Sequence, residues 1–134
     1  MTRSTRNAVA AAVAAGQVLA HDCPSRTVLN HVCSRWGVLV LIVLLDGTHR
    51  FAQLRREVSG VSEKMLSQTL DALIGDGFVS RLQLPVIPPH VEYSLTPLGR
   101  EIAEKVEALV DWIQDNYPRV AAAQAELQEN SKAA

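Results

Sequence analysis

The sequence predicts a mainly α-helical domain with one small β-hairpin, which is an α+β fold. Apolar residues recur at helical spacing in both halves of the chain, and two strand-like runs, residues 78–84 and 91–95, lie between them. At 134 residues the chain can bury one core without disulfides or metals. We therefore expect a single domain over residues 1–134, made of an N-terminal helical extension (1–22), a core (23–96) and a C-terminal helix with a tail (97–134).

Charge is distributed unevenly along the chain. The formal net charge is −1, so the overall balance gives no support to a nucleic-acid partner. Residues 97–134 carry four basic and seven acidic side chains, whereas residues 48–70 carry four basic and two acidic ones. The middle of the chain is therefore locally positive, although the domain as a whole is not.

Cysteine content and hydropathy indicate the compartment. Two cysteines without a secretory pattern are typical of free thiols in a reducing compartment. The alanine-rich run after Arg6 is a poor signal peptide because its only larger apolar residues are Val9 and Val13. No run approaches the roughly 18 apolar residues of a membrane span. We expect a cytoplasmic protein with no membrane partner.

The first third of the chain predicts two helical regions. Residues 6–20 have high helix propensity but little apolar surface, so we expect this helix to pack on another element such as a second subunit. A second helical pattern begins after Cys23-Pro24 and includes Val28, Leu29, Val32 and Trp36. We expect it to bend at Gly37 and to continue as an almost wholly apolar central helix that ends at Asp46-Gly47.

A short helix, a glycine turn and a capped helix follow. Residues 52–58 predict the short helix, and Ser59-Gly60-Val61 predicts the turn. We expect Ser62 to cap the next helix, with Val61 packing onto Leu66 as a hydrophobic staple. The buried stripe of that helix is predicted to consist of Met65, Leu66, Leu70, Leu73 and Ile74, ending at Gly75-Asp76-Gly77.

The last third predicts a hairpin and a long helix. A proline-rich segment, residues 85–90, separates the two strands and is too long for a tight turn, so it should form an extended tip. Thr96-Pro97 is a typical helix start. The helix carries a heptad-like apolar seam formed by Leu98, Ile102, Val106, Leu109 and Ile113. Residues beyond Tyr117-Pro118 are expected to form a short extra helix or a frayed tail.

This order of elements is that of a winged helix-turn-helix, whose second helix enters the DNA major groove. On the free face of that helix lie Lys64, Ser67, Gln68 and Asp71. Lysine can reach phosphate or guanine, and glutamine can pair with adenine through two hydrogen bonds. The predicted contacts to double-stranded DNA are Arg50, Arg55, Arg56, Ser62, Lys64, Ser67, Gln68, Arg81 and His90, with His49 as a supporting cation.

Several motifs occur together in this order. They are Cys23-Pro24, Trp36, Leu44-Leu45-Asp46-Gly47, Arg50-Phe51, Leu54-Arg55-Arg56, Val61-Ser62, Met65-Leu66, Leu70, Gly77-Phe78-Val79 and the run over residues 88–99. In these motifs, which span about residues 23–115, the chain resembles the HxlR-type regulators, a MarR-like winged-helix family. The resemblance implies a homodimeric, DNA-binding transcription regulator acting on a palindromic operator, and we expect a repressor.

The same resemblance implies that N- and C-terminal helices build the dimer. The side chains expected at that interface are Val9, Val13, Ile102, Val106, Leu109 and Ile113. Two positions depart from the family pattern. His90 stands where the family usually has arginine or lysine on the wing, and Ser34-Arg35 replaces a glycine-lysine pair before the tryptophan. The first change predicts a weaker contact of the wing with the minor groove.

Cys23 is the candidate for regulation by an oxidant. It precedes a predicted helix N-terminus and lies near Arg26, a setting typical of reactive cysteines, and some HxlR-type regulators sense oxidants through a cysteine at this position. The alternative is a partly buried structural cysteine. Cys23 and Cys33 should not bridge within one chain, because a ten-residue helical separation is about 15 Å; a Cys23–Cys23 bond between subunits stays open.

Other functions are less well supported. The His21-x-Cys23 and His31-x-Cys33 pairs do not predict a metal site, since helical residues two apart do not share a face. No cofactor signature is present, and no nucleophile–base pair or glycine-rich phosphate loop indicates an enzyme. A small-molecule effector between the C-terminal helix and the core is an open alternative. The main rival function is a winged-helix module that binds proteins, which the near-neutral charge would suit.

Overall fold

The structure, a computed structural model, describes residues 19–133 and contains five helices and one hairpin there. Most of the helix expected over residues 6–20, including Val9 and Val13, lies outside the described residues. The elements are α1 (Pro24–Val32), α2 (Arg35–Leu45), α3 (Phe51–Glu57), α4 (Glu63–Gly75), β1 (Val79–Leu84), β2 (His90–Leu95) and α5 (Pro97–Ala133). The predicted mainly α fold with a small hairpin is confirmed.

The core is built around α2. Its side chains Val40, Leu41 and Leu44 are almost completely buried, as the nearly all-apolar sequence of this helix requires. Around them pack Leu54 from α3, the α4 side chains Leu66, Leu70 and Leu73, and Ala103 and Val106 from α5. Every neighbouring element therefore contributes its apolar stripe to one central helix, and the opposite faces of α3, α4 and α5 are left exposed.

The predicted bend at Gly37 is wrong, because the chain turns at Cys33-Ser34 instead. The Ser34 hydroxyl accepts a hydrogen bond from the Gly37 N–H at 3.0 Å, which makes Ser34 the N-cap of α2. Gly37 lies inside α2, and a Cβ at this position would collide with the carbonyl oxygen of His31. Glycine is therefore needed for close approach and not for bending.

The chain bends by 68° between α1 and α2. The two helices meet the length and composition of a membrane span only when they are taken together across this break. No single helix within residues 19–133 is long and apolar enough for one. The apolar character of α2 is explained by its burial in the core.

The hairpin begins and ends close to its predicted bounds. β1 and β2 pair antiparallel, with Val79 opposite Leu95 and Leu84 opposite His90. His49 extends the sheet on the other side of β2, since its backbone exchanges two hydrogen bonds with Tyr93 at 2.9 and 2.8 Å. The wing is thereby attached to the segment that leads into α3.

The start of α5 is fixed against the turn that precedes β1. The Thr96 hydroxyl donates to the carbonyl of Gly77 at 2.6 Å and accepts from the Gly99 N–H at 2.9 Å, so it caps α5 as expected. The Thr96 N–H donates to the carbonyl of Phe78 at 3.0 Å. Gly99 is buried, and a Cβ there would collide with that same carbonyl. The helix can approach the backbone of Phe78 only because residue 99 has no side chain.

The expected interruption of α5 near Tyr117-Pro118 is wrong. The helix runs through Pro118 to Ala133, a length of 37 residues. A proline inside a helix removes one main-chain hydrogen bond. The helix nevertheless continues across Pro118 into the run 121–123 of three alanines, which are strong helix formers.

Replacing Gly99 by alanine should destabilise the fold. We expect Gly99→Ala to lower the free energy of unfolding by about 1–3 kcal/mol, because the added methyl group must displace the backbone of Phe78 or α5. Gly75→Ala is the matched control, since a Cβ at Gly75 meets nothing within 4 Å. That change should raise stability by about 0.5 kcal/mol through helix propensity. Urea unfolding of both variants measures the difference, and equal effects would contradict the proposed close approach.

Candidate nucleic-acid interface

The unit formed by α3, the turn and α4 packs its apolar side against the core. Val58 and Val61 flank the Ser59-Gly60 turn, and both are buried. The Ser62 hydroxyl accepts a hydrogen bond from the Met65 N–H at 3.1 Å, which confirms Ser62 as the N-cap of α4. Since Leu66, Leu70 and Leu73 face the core, the opposite side of α4 lies on the surface of the protein.

That surface carries the predicted polar side chains. Lys64, Ser67, Gln68 and Asp71 are all exposed. Met65, which was predicted to lie in the buried stripe, is 40% exposed and lies at the edge of this face. The reason is angular, because one residue turns a helix by about 100°, so Met65 points away from the direction of Leu66. The exposed face of α4 is therefore polar with one apolar side chain at its margin.

The arginines of α3 lie beside the N-terminus of α4. The Arg55 Nη1 is 3.1 Å from the Glu63 Oε1, and both side chains are largely exposed. An exposed ion pair of this kind is weak, so Arg55 can exchange its partner. Arg56 and Lys64 make no ion pair within residues 19–133. Arg55, Arg56, Ala52 and Val61 line an open groove of about 370 Å³.

Arg50 connects α3 with the wing. Its backbone N–H donates to the Gln53 side chain at 2.7 Å at the start of α3, and its Nε lies 2.9 Å from the His90 Nε2. The same His90 nitrogen lies 3.1 Å from a Glu92 carboxylate oxygen. His90 is therefore at the base of the wing, where its ring is mostly buried, and not at the tip.

A second open groove, of about 430 Å³, separates α3 from the wing loop. Its lining includes Arg50, Ala52, Val86 and Ile87. Ala52 also lines the groove beside Arg55 and so belongs to both. The wing loop, the start of α3 and the turn before α4 consequently lie side by side on one continuous surface.

His49 is not a supporting cation of this surface, contrary to the prediction. Its ring is only 12% exposed, with Nε2 at 2.7 Å from a Glu57 carboxylate oxygen and Nδ1 at 2.7 Å from the carbonyl of Gly47. The backbone bridge to Tyr93 fixes the residue from the other side. Alternation in the short extended segment turns the His49 side chain inward, so His49 joins α3 to the wing.

A further histidine bond was missed by sequence reasoning. The His31 Nδ1 lies 2.7 Å from the Asp76 Oδ2, and Asp76 is the C-cap of α4. The contact ties the end of α1 to the end of α4, two positions 45 residues apart in the chain. Neither residue shows a local motif, so only the packing of the helices brings the pair together.

Arg81 lies in the middle of β1, opposite Tyr93, and is exposed. Among the nine predicted DNA contacts, the α3 and α4 side chains share one surface. Arg50 and His90 lie at the boundary between that surface and the wing. Arg81 is the one arginine or lysine on the two strands of the hairpin.

The apolar seam of α5 is only partly covered. Val106 is buried in the core of its own chain and Ile102 is half-buried, so Val106 has little surface left for an interface. Leu109 and Ile113 are about half exposed, as are Trp112 and Tyr117 beside them. Within residues 19–133 the stripe therefore leaves the core after Val106 and continues without cover.

The two cysteines lie at opposite ends of α1. Cys23 is the half-buried N-cap of the helix beside an open groove of about 480 Å³, and Cys33 is exposed at its C-cap. The guanidinium of Arg26 donates to the carbonyl of Leu19 at 2.8 Å. No group of three or more metal-binding side chains is found in the described part of the chain.

The place expected for an effector holds a shallow cleft. An apolar cleft of about 260 Å³ lies between the side chains of Phe78, Leu98 and Ile102, with Glu101 and Lys105 at its rim. Pockets for small molecules usually measure about 300–1,000 Å³ and enclose most of the ligand. The cleft alone does not define a ligand.

A helix–turn–helix unit with a β-hairpin beside it defines a winged helix-turn-helix protein. Residues 31–121 match the model of the HxlR-like helix-turn-helix family. The HTH-type transcriptional regulator YtfH of Escherichia coli, itself uncharacterised, is 61% identical over 111 residues, which are 83% of this chain and 88% of that protein. The chain belongs to the HxlR-like family and is a transcriptional regulator with a helix-turn-helix DNA-binding domain.

Two solved structures extend the comparison. The structure of YtfH from Salmonella typhimurium is 61% identical and has a TM-score of 0.77, covering 81% of this chain and 96% of that one. The redox regulator HypR in its reduced form is 30% identical with a TM-score of 0.68, covering 74% and 98%. These proteins are described as regulators, which agrees with the family.

Proposed function

We propose that this chain is a sequence-specific repressor that binds a palindromic operator as a homodimer, with α4 in the major groove. The observation that carries the proposal is the exposed polar face of α4, fixed from behind by Leu66, Leu70 and Leu73. A surface used for protein binding is richer in aromatic and apolar side chains and poorer in lysine. Occupation of the operator would exclude other proteins from the same DNA.

Each side chain has a role that follows from its chemistry and place. Gln68 pairs with adenine, Lys64 reaches guanine or phosphate, and Ser67 contacts a base or the backbone. Met65, at the edge of the face, suits the methyl group of thymine. Ser62 lies at the N-terminus of α4, where main-chain N–H groups favour phosphate.

Cations outside α4 contribute affinity without reading sequence. Arg55 and Arg56 border the groove before α4, and a phosphate that enters there replaces Glu63 as the partner of Arg55. Arg50 and Arg81 act from the wing side, and the His90 ring, which lies 2.9 Å from the Arg50 Nε, holds Arg50 in place. The local excess of positive charge explains how a chain of net charge −1 binds a polyanion.

Removal of the base-reading side chains should abolish sequence preference. We expect Lys64→Ala with Gln68→Ala to lose about 1–3 kcal/mol of discrimination per misread base pair. For the wild type, the logarithm of affinity should fall steeply with the logarithm of salt concentration. For the double variant, the magnitude of this slope should be smaller by about one, because one lysine–phosphate contact is lost. Binding to sites selected from random DNA, titrated at several salt concentrations, measures both quantities.

Lys105→Ala is the charge-matched control, since Lys105 is exposed on α5. It should leave both the preference and the slope unchanged. A wild-type protein whose selected sites share no sequence, or whose binding does not depend on salt, would contradict the proposal and favour the protein-binding module. Sites without dyad symmetry would contradict the palindromic operator.

The distal half of α5 supports the homodimer. Beyond the core, a stripe recurs at intervals of three and four residues through Val106, Leu109, Ile113, Asn116, Val120, Ala123 and Leu127. Intervals of three and four are the heptad pattern of a coiled coil. The helix is about 55 Å long, and only its first turns contact the core. The α5 of a second subunit has the length and the apolar spacing needed to cover the exposed part of this stripe.

A charge in this stripe should separate the subunits. We expect the wild type to be a dimer and Ile113→Glu to be a monomer with the mass of one chain, 14.6 kDa. The reason is that the dimer of the variant would bury two carboxylates in its interface. Ala122→Glu adds the same charge at an exposed position outside the stripe and should leave the dimer intact. Light scattering after size exclusion measures the mass. A monomeric wild type would contradict the homodimer.

A second candidate function, redox sensing through Cys23, is favoured by two observations. Cys23 lies half-buried at the rim of an open groove, so a small oxidant can reach it. The relative HypR is described as a redox regulator. In this scheme the Cys23 thiolate attacks one peroxide oxygen, so that an S–O bond forms while the O–O bond breaks. The sulfur is oxidised by two electrons to a sulfenic acid, and the other oxygen takes a proton from solvent and leaves as water or an alcohol.

Cys23→Ser should bind the selected DNA with wild-type affinity and no longer respond to peroxide. Cys33→Ser is the matched control and should respond as the wild type does, since Cys33 lies at the other end of α1. DNA affinity with and without hydrogen peroxide measures the response. A wild type that binds DNA equally with and without peroxide would overturn the redox role. A response that is lost in Cys33→Ser but kept in Cys23→Ser would overturn the role of Cys23 and assign the sensing to Cys33.

A further inference from the structure

The tip of the wing is apolar. The five residues between the strands, 85–89, are Pro-Val-Ile-Pro-Pro and carry no charge. Ile87 is fully exposed and Val86 is half exposed within the described part of the chain. Leu82, on the neighbouring strand, is also about half exposed. The wing therefore ends in a small apolar surface.

The loop presents Ile87 with little freedom to move. Three of its five residues are prolines, whose rings fix the backbone angle φ. The Val86 N–H donates to the carbonyl of Leu84 at 2.9 Å, which holds the chain where it leaves β1. A backbone held in this way loses little conformational entropy when the tip binds, so the exposure of Ile87 favours a contact at a fixed position.

Cations lie at the base of this tip. The Arg50 side chain reaches His90 at the start of β2, and Arg81 projects from β1. The groove between α3 and the tip is continuous, through Ala52, with the surface that carries Arg55 and Arg56. An apolar point above a cationic base is the arrangement that architectural proteins use in the minor groove, where arginine or lysine holds phosphates and an apolar side chain enters a base step.

The family resemblance already implies that the wing contacts the minor groove, and we propose that Ile87 inserts there, beside the site read by α4, as an apolar wedge. This inference rests on the proposed DNA-binding function. The wedge partly unstacks one base step, which costs least at flexible pyrimidine–purine steps such as TA and CA. The wing thus reads the deformability of the flanking DNA, and the DNA bends towards the major groove.

The test uses the full chain and a DNA duplex selected by the wild type, with 2-aminopurine placed at successive flanking steps. Wild-type binding should raise the fluorescence at one step, because the base there loses its stacking. We expect Ile87→Ser to abolish this signal and to weaken binding about tenfold, the loss of one buried aliphatic side chain. Ile87→Met, which keeps an apolar wedge, should retain most of both.

Salt dependence separates the wedge from a charge effect. Ile87→Ser should keep the wild-type slope, whereas Arg81→Ala should lower it by about one phosphate contact. If the wild type binds its selected site but Ile87→Ser binds equally well and no step shows increased fluorescence, the wedge is overturned while the proposed function stands. That outcome would assign the tip to a protein partner. If the wild type selects no DNA, the proposed function itself fails.

Discussion

The contact between Gly99 and the backbone of Phe78 is the constraint on which the arrangement of the other elements depends. At this point the turn after α4, the first strand of the wing and the start of α5 approach one another closely enough to exclude a methyl group. Thr96 completes the junction by bonding to Gly77 on one side and Gly99 on the other. The orientation of α4 is thereby linked to the direction of α5.

Histidine–carboxylate bonds repeat this linkage elsewhere. His31 joins α1 to the end of α4, and His49 joins the segment before α3 to Glu57 and to the wing. No polar residue is completely buried in the described part of the chain. The apolar core therefore supplies the stability, while polar bonds at the joints decide how the helices meet. Within residues 19–133, Lys64, Ser67 and Gln68 are exposed and make no side-chain hydrogen bond or ion pair, which leaves them available for recognition.

The sequence was a good guide where structure is local. Ser62 and Thr96 were predicted as caps and are caps, since an N-cap depends on residues within one turn. The outward face of α4 followed from the spacing of its leucines. The family resemblance, which was based on local motifs, was confirmed by the match to the family model and by the relatives.

The errors arose where a residue's neighbours in space, or the continuity of a long helix, could not be inferred from residue type. Gly37 was assigned a bend because glycine has no side chain, but its neighbour is the end of the preceding helix. His49 points inward because a strand 44 residues later pairs with it. Pro118 was expected to end α5, yet the helix continues through it to Ala133. The roles proposed for individual DNA contacts still depend on the experiments above.

The charge pattern gives the near-zero net charge a kinetic meaning. All the charged side chains of α5 are exposed, and acids outnumber bases there by seven to four, while residues 50–71 carry four basic and three acidic side chains. Because α5 makes its main contacts with α2 and β2, the two charge regions belong to different sides of the fold. In the field of a polyanion such a dipole experiences a torque with little net attraction. In the encounter with DNA that the proposed function requires, acidic α5 would be turned away from the polyanion while the surface of α3 and α4 approaches it.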